Sequence, residues 1–292
     1  MFDRLDKKRR DVEWLATVRE SRAFRYLVLD VDAHLIYTRD VQDLSDLPLF
    51  STDLLPSDFD VKAHGLFLGE RDGELIFCFD IGVMGPIFTD MTESVDSRLV
   101  TQNLSPTDSS IFLMARGLNL WSETVQFCGR CGSPTEKLAG GMSYRCGRAS
   151  CSTKHYPKID PAVIMLVTDG ANQVALGRGR RHPEGMFSCF AGFLEPGESI
   201  EDAVVREVKE ESGLHVEELH YFSSQAWPYP SAVMIGFIAT ARKTELELDS
   251  DEILDGRWFS RSELEVASQA KSQMLPRPGS LARQLLDQWL NK

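Results

Sequence analysis

Residues 192–214 concentrate the side chains most able to do chemistry. Their sequence, GFLEPGESIEDAVVREVKEESGL, contains seven carboxylates. Like charges three or four residues apart destabilise a helix by roughly 0.2–0.5 kcal/mol per pair, so this density of negative charge needs a compensating partner. Magnesium and similar hard cations are bound by a few carboxylates together with substrate phosphates. The run is therefore either a metal-binding surface or a solvated acidic helix face.

The residues between these carboxylates predict one helix. Ser199 is a good N-cap, Asp202 follows three residues later as in a capping box, and Gly213 suits the position just after the helix end. Four apolar residues form the stripe that we expect to be buried: Ile200, Ala203, Val204 and Val208. The pattern is typical of a helix packed against a core.

Three of the carboxylates share one face of this helix. Glu207, Glu210 and Glu211 are spaced i, i+3 and i+4, so their side chains are neighbours. Arg206 can pair with a neighbouring carboxylate and orient it. Glu198 lies on the loop that enters the helix, from which it can reach back over the same face. Bound divalent cations would relieve the repulsion within this group.

Two cysteine pairs lie upstream of the acidic run. Cys128 and Cys131 are separated by two residues, and Cys146 and Cys151 by four, with glycines that let the backbone turn under the sulfurs. Four thiolates suit a tetrahedral zinc ion and leave no open position for catalysis, so the spacing predicts structural zinc. Two disulfides or a redox-active pair are the alternatives, and no secretory signal supports the disulfides.

The acidic run resembles the Nudix box, GX5EX7REUXEEXGU with U aliphatic. It matches at each defined position, namely Gly192, Glu198, Arg206, Glu207, Val208, Glu210, Glu211, Gly213 and Leu214. The resemblance implies the Nudix fold, an α/β/α sandwich with a mixed sheet. It also implies hydrolysis of a nucleoside diphosphate linked to another moiety.

A second segment, SQAWPYPSA at residues 224–232, resembles the SQPWPFPxS array of the NADH pyrophosphatase subfamily of Nudix hydrolases. Ala226 replaces a proline of the array, Ala232 replaces its last serine, and Tyr229 replaces a phenylalanine. The cysteine pairs and the segment YPKIDP at 156–161 agree with the same subfamily, so the resemblance covers residues 120–292.

This resemblance implies cleavage of the pyrophosphate bond of NADH, and of NAD⁺, to AMP and nicotinamide mononucleotide. The same chemistry would remove an NAD cap from the 5′ end of RNA. Phe193 and Tyr156 are then expected to stack on the nicotinamide, with Tyr156 supplied by the partner subunit of a homodimer. The residues expected to line the substrate are Gln225, Ala226, Trp227, Pro228, Tyr229, Pro230, Ser231 and Ala232. The backbone of Ala282 is expected to touch it as well.

The resemblance also implies a catalytic metal cluster that holds Mg²⁺ or Mn²⁺ on the pyrophosphate. Its expected ligands are the carboxylates of Glu207, Glu210, Glu211 and Glu252 and the carbonyl of Ala191, with Glu198 completing the cluster. Glu210 is our choice of general base among several carboxylates. The segment that contains Glu252 can also be read as a surface turn. Arg178, Arg180 and Arg181 either steer phosphates or form a solvated basic loop.

The sequence patterns of the 292-residue chain, together with the resemblance, predict an α+β protein with three parts. Residues 1–122 form an N-terminal α/β domain without a catalytic constellation, which we expect to be a scaffold or a dimerisation domain. A zinc ribbon at 123–156 and a Nudix domain at 157–292 follow. Strands are predicted at 162–167, 173–177 and 233–239, and helices within 96–121 and at 279–290.

Composition excludes several classes of protein. A net charge of −12 argues against a nonspecific nucleic-acid binder. The sequence has no apolar run near the roughly 20 residues of a membrane span, and the N-terminus lacks the apolar core of a secretory signal, so a cytoplasmic protein is expected. Cys78 and Cys189 lie in apolar runs and are expected to be buried thiols.

Two other functions remain open. One is a Nudix hydrolase that prefers ADP-ribose or another dinucleotide. The other is a nucleotide sensor without catalysis, whose zinc ribbon contacts a partner. Degenerate sensors are expected to lose carboxylates of the box, and this chain retains all of them.

Overall fold

The computed structural model describes residues 1–270 and 272–291. Contacts divide the chain into two compact units, one made of Met1–Lys158 with Pro228–Ser231 and the other of Ile159–Trp227 with Ala232–Lys292. Each unit has its own large sheet and its own hydrophobic core, and the first unit also contains a small three-stranded sheet. In the part of the chain that is described, no helix has both the length and the apolar character of a membrane span.

A seven-stranded sheet forms the centre of the first unit, with the strand order β1-β5-β6-β2-β3-β7 and β4 paired to β2. Its elements are β1 (Phe2–Asp3), α1 (Val12–Ser21), β2 (Arg25–Leu29), β3 (Leu35–Thr38), β4 (Phe50–Ser51), α2 (Val61–His64), β5 (Leu66–Arg71), β6 (Glu74–Asp80), α3 (Pro86–Met91), β7 (Thr92–Val95), α4 (Ser97–Asn103) and α5 (Pro106–Thr124). The single helix region predicted within 96–121 is thus two helices, α4 and α5.

Strand β2 shows why this sheet is covered on both faces. Its side chains alternate between the two faces, as in any strand. Leu27 and Leu29 pack in a cluster with residues of α4 and α5, whereas Tyr26 and Val28 pack with residues of α1, α2 and α3. Cys78 of the neighbouring β6 is fully buried, as expected.

Three short antiparallel strands follow α5 and surround the cysteine pairs. Cys128 and Cys131 lie before the first strand, Cys146 ends the second, and Cys151 lies in the turn before the third. The strands are β8 (Thr135–Leu138), β9 (Ser143–Cys146) and β10 (Lys154–His155), in the order β10-β9-β8. Lys137 of β8 donates from Nζ to the carbonyls of Ala63 (2.8 Å) and Gly65 (3.1 Å). Burial lowers the pKa of Lys137 to about 8, because the charged ammonium is removed from water.

The second unit is built on a mixed sheet with the order β14-β15-β11-β12-β16, in which β13 also pairs with β11. Strands β11 and β15 are parallel, and the other pairs are antiparallel. The elements are β11 (Asp160–Thr168), β12 (Gln173–Gly179), β13 (Phe190–Phe193), α6 (Ile200–Ser212), β14 (Val216–Trp227), β15 (Ala232–Ala241), β16 (Ile253–Ser260), α7 (Arg261–Gln269) and α8 (Leu281–Leu290).

Helices cover both faces of this mixed sheet. Ala203, Val204 and Val208 of α6 belong to the cluster on one face, and Leu264 of α7 and Leu285 of α8 to the cluster on the other. The arrangement is the α/β/α sandwich that the sequence predicts. The three predicted strands are present, and each is longer than predicted by two or three residues. The predicted C-terminal helix begins at Leu281 and is capped by the side chain of Ser280.

Candidate active site

Helix α6 carries Glu207, Glu210 and Glu211, and it begins after Ser199 and ends before Gly213, as the sequence predicts. The Ser199 hydroxyl accepts the N–H of Asp202 (3.1 Å), and Gly213 has the positive φ of 72° that favours glycine after a helix. The predicted capping box is wrong in one respect. The Asp202 carboxylate accepts the Ser199 hydroxyl (2.7 Å) and does not reach back to the Ser199 N–H. Aspartate is one carbon shorter than the glutamate that usually closes such a box.

Strand β13 runs beside α6, and Gly192 explains how closely the two approach. A Cβ atom at position 192 would lie 1.9 Å from Cδ of Glu207, a distance that no side chain tolerates. The glycine therefore leaves the space that the Glu207 carboxylate fills. Glu207 and Glu211 are both buried in this position, a feature that the spacing of charges along the helix does not predict.

The guanidinium of Arg206 connects the carboxylates of the motif. It donates hydrogen bonds to both oxygens of Glu198, from Nε at 2.6 Å and from Nη2 at 2.9 Å. Its Nη1 donates to Glu207 (2.8 Å) and Glu210 (2.8 Å), and Nη2 also donates to the carbonyl of Phe193 (2.9 Å). The prediction that Arg206 orients a neighbouring carboxylate is confirmed, and it orients three.

The pKa is lowered for one of these carboxylates, Glu198, and raised for two others, Glu207 and Glu211. The bonds from Arg206, and then the Glu195 N–H, lower the pKa of Glu198 to about 2. Burial raises the pKa of Glu207, in spite of its bond to Arg206, and the charges of Glu210 and Glu252 raise it further. Burial also raises the pKa of Glu211 to about 8, against the N–H of Ala191 that the carboxylate accepts at 3.0 Å.

Glu252 lies on an exposed turn immediately before β16, as the surface-turn interpretation expects. Its charge nevertheless raises the pKa of both Glu207 and Glu211. The turn therefore brings a further carboxylate within electrostatic reach of α6. Asp249, at the start of the same turn, raises the pKa of Glu211 as well.

The donor chemistry of this site fits a hard divalent cation. Its acidic side chains offer oxygen ligands, and two of them are buried with raised pKa values, so a cation would stabilise their charged forms. The oxygens are not gathered as a tight cluster. Among the described residues, the one group of three or more histidine, cysteine or acidic residues with ligand atoms within 4.8 Å of one another is the cysteine quartet. Arg206 and the N–H of Ala191 hold the carboxylates instead.

The four cysteines of the first unit fit zinc. Their sulfurs lie 3.9 Å apart for Cys128 and Cys151, and 3.4 Å apart for Cys131 and Cys146. A tetrahedron with Zn–S distances of about 2.3 Å has edges of about 3.8 Å. The thiols are free, so the disulfide alternative is wrong for this structure. The N–H and hydroxyl of Ser133 lower the pKa of Cys131 to about 6, whereas burial raises the pKa of Cys146 to about 12. A bound zinc ion would stabilise the thiolate form of both.

In the second unit, the residues expected to contact substrate differ in their exposure to solvent and in the hydrogen bonds that their side chains already make. Phe193 is 60% exposed and presents its ring to solvent. The amide of Gln225 is committed, because Nε2 donates to the carbonyl of Gly279 and Oε1 accepts the N–H of Leu281, both at 2.8 Å. Ala282 and Ala232 are buried, whereas Ala226 is exposed. Trp227 is partly buried at the end of β14.

In the first unit, the turn of Pro228–Ser231 is held by an arginine of α5 that sequence reasoning missed. Arg116 is buried and donates from Nε to the carbonyl of Pro228 (2.8 Å) and from Nη1 to those of Asp32 (2.7 Å) and Ala33 (2.5 Å). Its guanidinium carbon lies 4.5 Å from the centre of the Tyr229 ring, and that of the exposed Arg98 lies 5.2 Å from it. Separately, the expected stacking residue Tyr156 is 64% exposed.

Comparison with known proteins agrees with this site. The chain matches the NUDIX domain over residues 158–278 and the NADH pyrophosphatase zinc ribbon domain over residues 123–156. It is 33% identical over 259 residues to the NAD-capped RNA hydrolase NudC of Stutzerimonas stutzeri, which covers 89% of this chain and 84% of that protein. It is 42% identical over 198 residues to the NAD-capped RNA hydrolase NUDT12 of Macaca fascicularis, covering 64% of this chain but only 43% of that relative. The chain therefore belongs to the Nudix family, in the group whose NUDIX domain follows an NADH pyrophosphatase zinc ribbon.

Proposed function

We propose that the protein hydrolyses the pyrophosphate bond of NADH and NAD⁺, giving AMP and nicotinamide mononucleotide, in a reaction that depends on a divalent metal. The observation that carries this proposal is the intact set of box carboxylates organised by Arg206 beside strand β13. The names of the NudC and NUDT12 relatives support NAD-containing substrates. For the same reason we propose that the enzyme also removes an NAD cap from the 5′ end of RNA.

In the proposed mechanism, Mg²⁺ or Mn²⁺ would be held by the carboxylates of Glu207, Glu210, Glu211 and Glu252 and by the carbonyl of Ala191. When bound, the metal neutralises phosphate charge and acidifies the attacking water. The oxygen of that water forms a bond to one phosphorus, the bridging P–O bond breaks, and a carboxylate of this chain takes the proton. We assign that proton transfer to Glu210, because its side chain is 55% exposed and is oriented by Arg206 at 2.8 Å.

Substrate recognition is proposed to use flat rings and a shaped loop. Phe193 has the exposed ring that stacking on a nicotinamide requires. Tyr156 is similarly exposed, and we propose that in a homodimer it stacks on the nicotinamide bound by the other subunit. Light scattering coupled to size exclusion would measure the subunit number.

The free state of the zinc-site thiols fits a reducing compartment, which favours the cytoplasm.

A second substrate preference has its own support. Ala226 and Ala232 lack the ring and the hydroxyl found at the matching places of the NADH pyrophosphatase array. A site built to hydrogen-bond a substrate discriminates strongly, and a lost hydroxyl relaxes that discrimination. If Ala226 and Ala232 decide the substrate preference, the enzyme is expected to cleave ADP-ribose faster than NADH.

The test offers NADH, NAD⁺ and ADP-ribose separately at equal concentration, with Mg²⁺ or Mn²⁺, and separates products by chromatography. Release of AMP fastest from NADH, and none without divalent metal, is the expected result. Faster cleavage of ADP-ribose would keep the chemistry and change the substrate. Absence of cleavage with all three would favour the nucleotide sensor.

A further inference from the structure

Arg180, just after strand β12, contacts three consecutive carbonyl groups. Its backbone N–H donates to the carbonyl of Glu252 at 3.3 Å. Its guanidinium donates from Nη2 to the carbonyl of Ser250 at 3.0 Å and from Nε to that of Asp251. Nη2 also lies 3.9 Å from a carboxylate oxygen of Asp251. The side chain of Arg180 is thus directed at the backbone of the turn before β16.

That turn is also closed from within by Asp249. The carbonyl of Asp249 accepts the N–H groups of Glu252 (3.1 Å) and Ile253 (2.7 Å). Its carboxylate accepts the N–H of Asp251 at 2.8 Å. The carbonyls of Ser250 and Asp251 accept from the guanidinium of Arg180. Asp249 and Arg180 therefore bind different backbone groups of the same turn.

The position of this turn matters because of the side chain at its end. Ile253, the residue after Glu252, packs in the same buried cluster as Val204 and Val208 of α6. The exposed turn therefore ends beside the helix that carries Glu207 and Glu211. Metal–oxygen distances near 2 Å tolerate little displacement, and groups behind the ligands commonly set their orientation. A shift of the turn would move Glu252 away from a cation shared with α6.

We propose that Arg180 is a positioning residue for Glu252, holding the 250–252 turn so that this carboxylate completes the divalent metal site of α6. The inference rests on the proposed metal role of Glu252. It replaces phosphate steering as the role of Arg180, because Nε and Nη2 of its guanidinium donate to carbonyls. Its side chain is 58% exposed, so its removal is expected to leave the fold intact.

The test measures Mn²⁺ binding to substrate-free protein, by the electron paramagnetic resonance signal of free Mn²⁺. We expect Arg180→Met to weaken binding roughly tenfold, at the lower end of the range for residues that orient metal ligands. The backbone bond from position 180 to Glu252 survives this substitution, so the loss reports the guanidinium alone. Arg181→Met, in the same loop, is the matched control and is expected to bind as the wild type does.

Two further variants separate positioning from charge. Arg180→Lys keeps the charge but cannot contact two carbonyls in a planar fork, so it is expected to resemble Arg180→Met. In a Glu252→Gln background, Arg180→Met is expected to have no further effect, because the two residues act as one unit.

Unchanged Mn²⁺ affinity in Arg180→Met, with a raised KM for the dinucleotide, would overturn the proposal in favour of a phosphate contact. An equal loss with and without the Glu252 carboxylate would overturn it too, since the effect would not pass through Glu252. Metal binding is measured without substrate, so failure of the wild type to cleave NADH would count against the proposed function alone.

Discussion

Replacing Glu211 by glutamine is expected to stabilise the metal-free protein above pH 7 while removing its turnover. Burial raises the pKa of Glu211 to about 8 from its ordinary value of 4.5, with added repulsion from Glu207, Glu252 and Asp249. The folded protein then retains a proton that the unfolded chain loses. Stability therefore falls as the pH rises from 4.5 to 8, and the cost is full above pH 8.

The magnitude follows from this difference in pKa. Each unit corresponds to about 1.4 kcal/mol, so the full difference sets an upper bound of about 5 kcal/mol. Relaxation around the buried charge lowers this, and we expect roughly 2–5 kcal/mol. Glutamine stays uncharged at every pH and can still accept the N–H of Ala191 that Glu211 accepts. Each kcal/mol moves Tm by roughly 2–4 °C for a unit of this size.

The assay is calorimetric unfolding between pH 5 and 9 in buffer without divalent ions. The Tm of Glu211→Gln is expected to equal that of the wild type near pH 5 and to exceed it by several degrees at pH 8.5. Glu201→Gln, at an exposed position in the first turn of α6, is the control. Added Mg²⁺ should stabilise the wild type and not the variant. A Tm difference that is the same at every pH would refute the reasoning.

Three more predictions follow from single contacts. Gly192→Ala places a methyl group on the Glu207 carboxylate and should reduce kcat at least a hundredfold while costing about 1–3 kcal/mol of stability, measured by steady-state kinetics and urea unfolding. Arg116→Met removes the donor that three carbonyls share and should destabilise the first unit by roughly 2–4 kcal/mol in urea titrations. The effect should be absent from Arg98→Met, because Arg98 is exposed and its guanidinium contacts the same tyrosine ring. Cys146→Ser should remove zinc, measured as metal content per chain, and should lower the Tm of the first unit with little change in the second.

The helix, its caps and the cysteine site are predictable from sequence because each depends on residues close together in the chain. The burial of Glu207 is different. It depends on β13, the strand beside α6. Strand β13 is held in the sheet by its pairing with β11, in which Phe193 lies opposite Ala162. Helical spacing shows which carboxylates are neighbours, but it does not show which of them face another element.

The two arginines that fix loops show a second limit. Arg116 contacts Pro228 at a separation of 112 residues, and Arg180 contacts Ser250 at a separation of 70. Both interactions are with backbone carbonyls, which every residue carries, so no partner residue type marks them in the sequence. A charged residue in an apolar helix and one arginine among several in a loop are the only traces.

The geometry of Arg206 separates the carboxylates that a cation can recruit from the one that anchors the arginine. Both oxygens of Glu198 are bound by the guanidinium, at 2.6 and 2.9 Å, so Glu198 holds Arg206 in place. Glu207 and Glu210 share a single nitrogen, Nη1, and each has a second oxygen outside that contact. Glu211 is bound by a backbone N–H. A divalent cation at the proposed site would therefore compete with one nitrogen of Arg206 and leave the Glu198 pair whole, so the helix would gain a metal without losing the arginine that orders it.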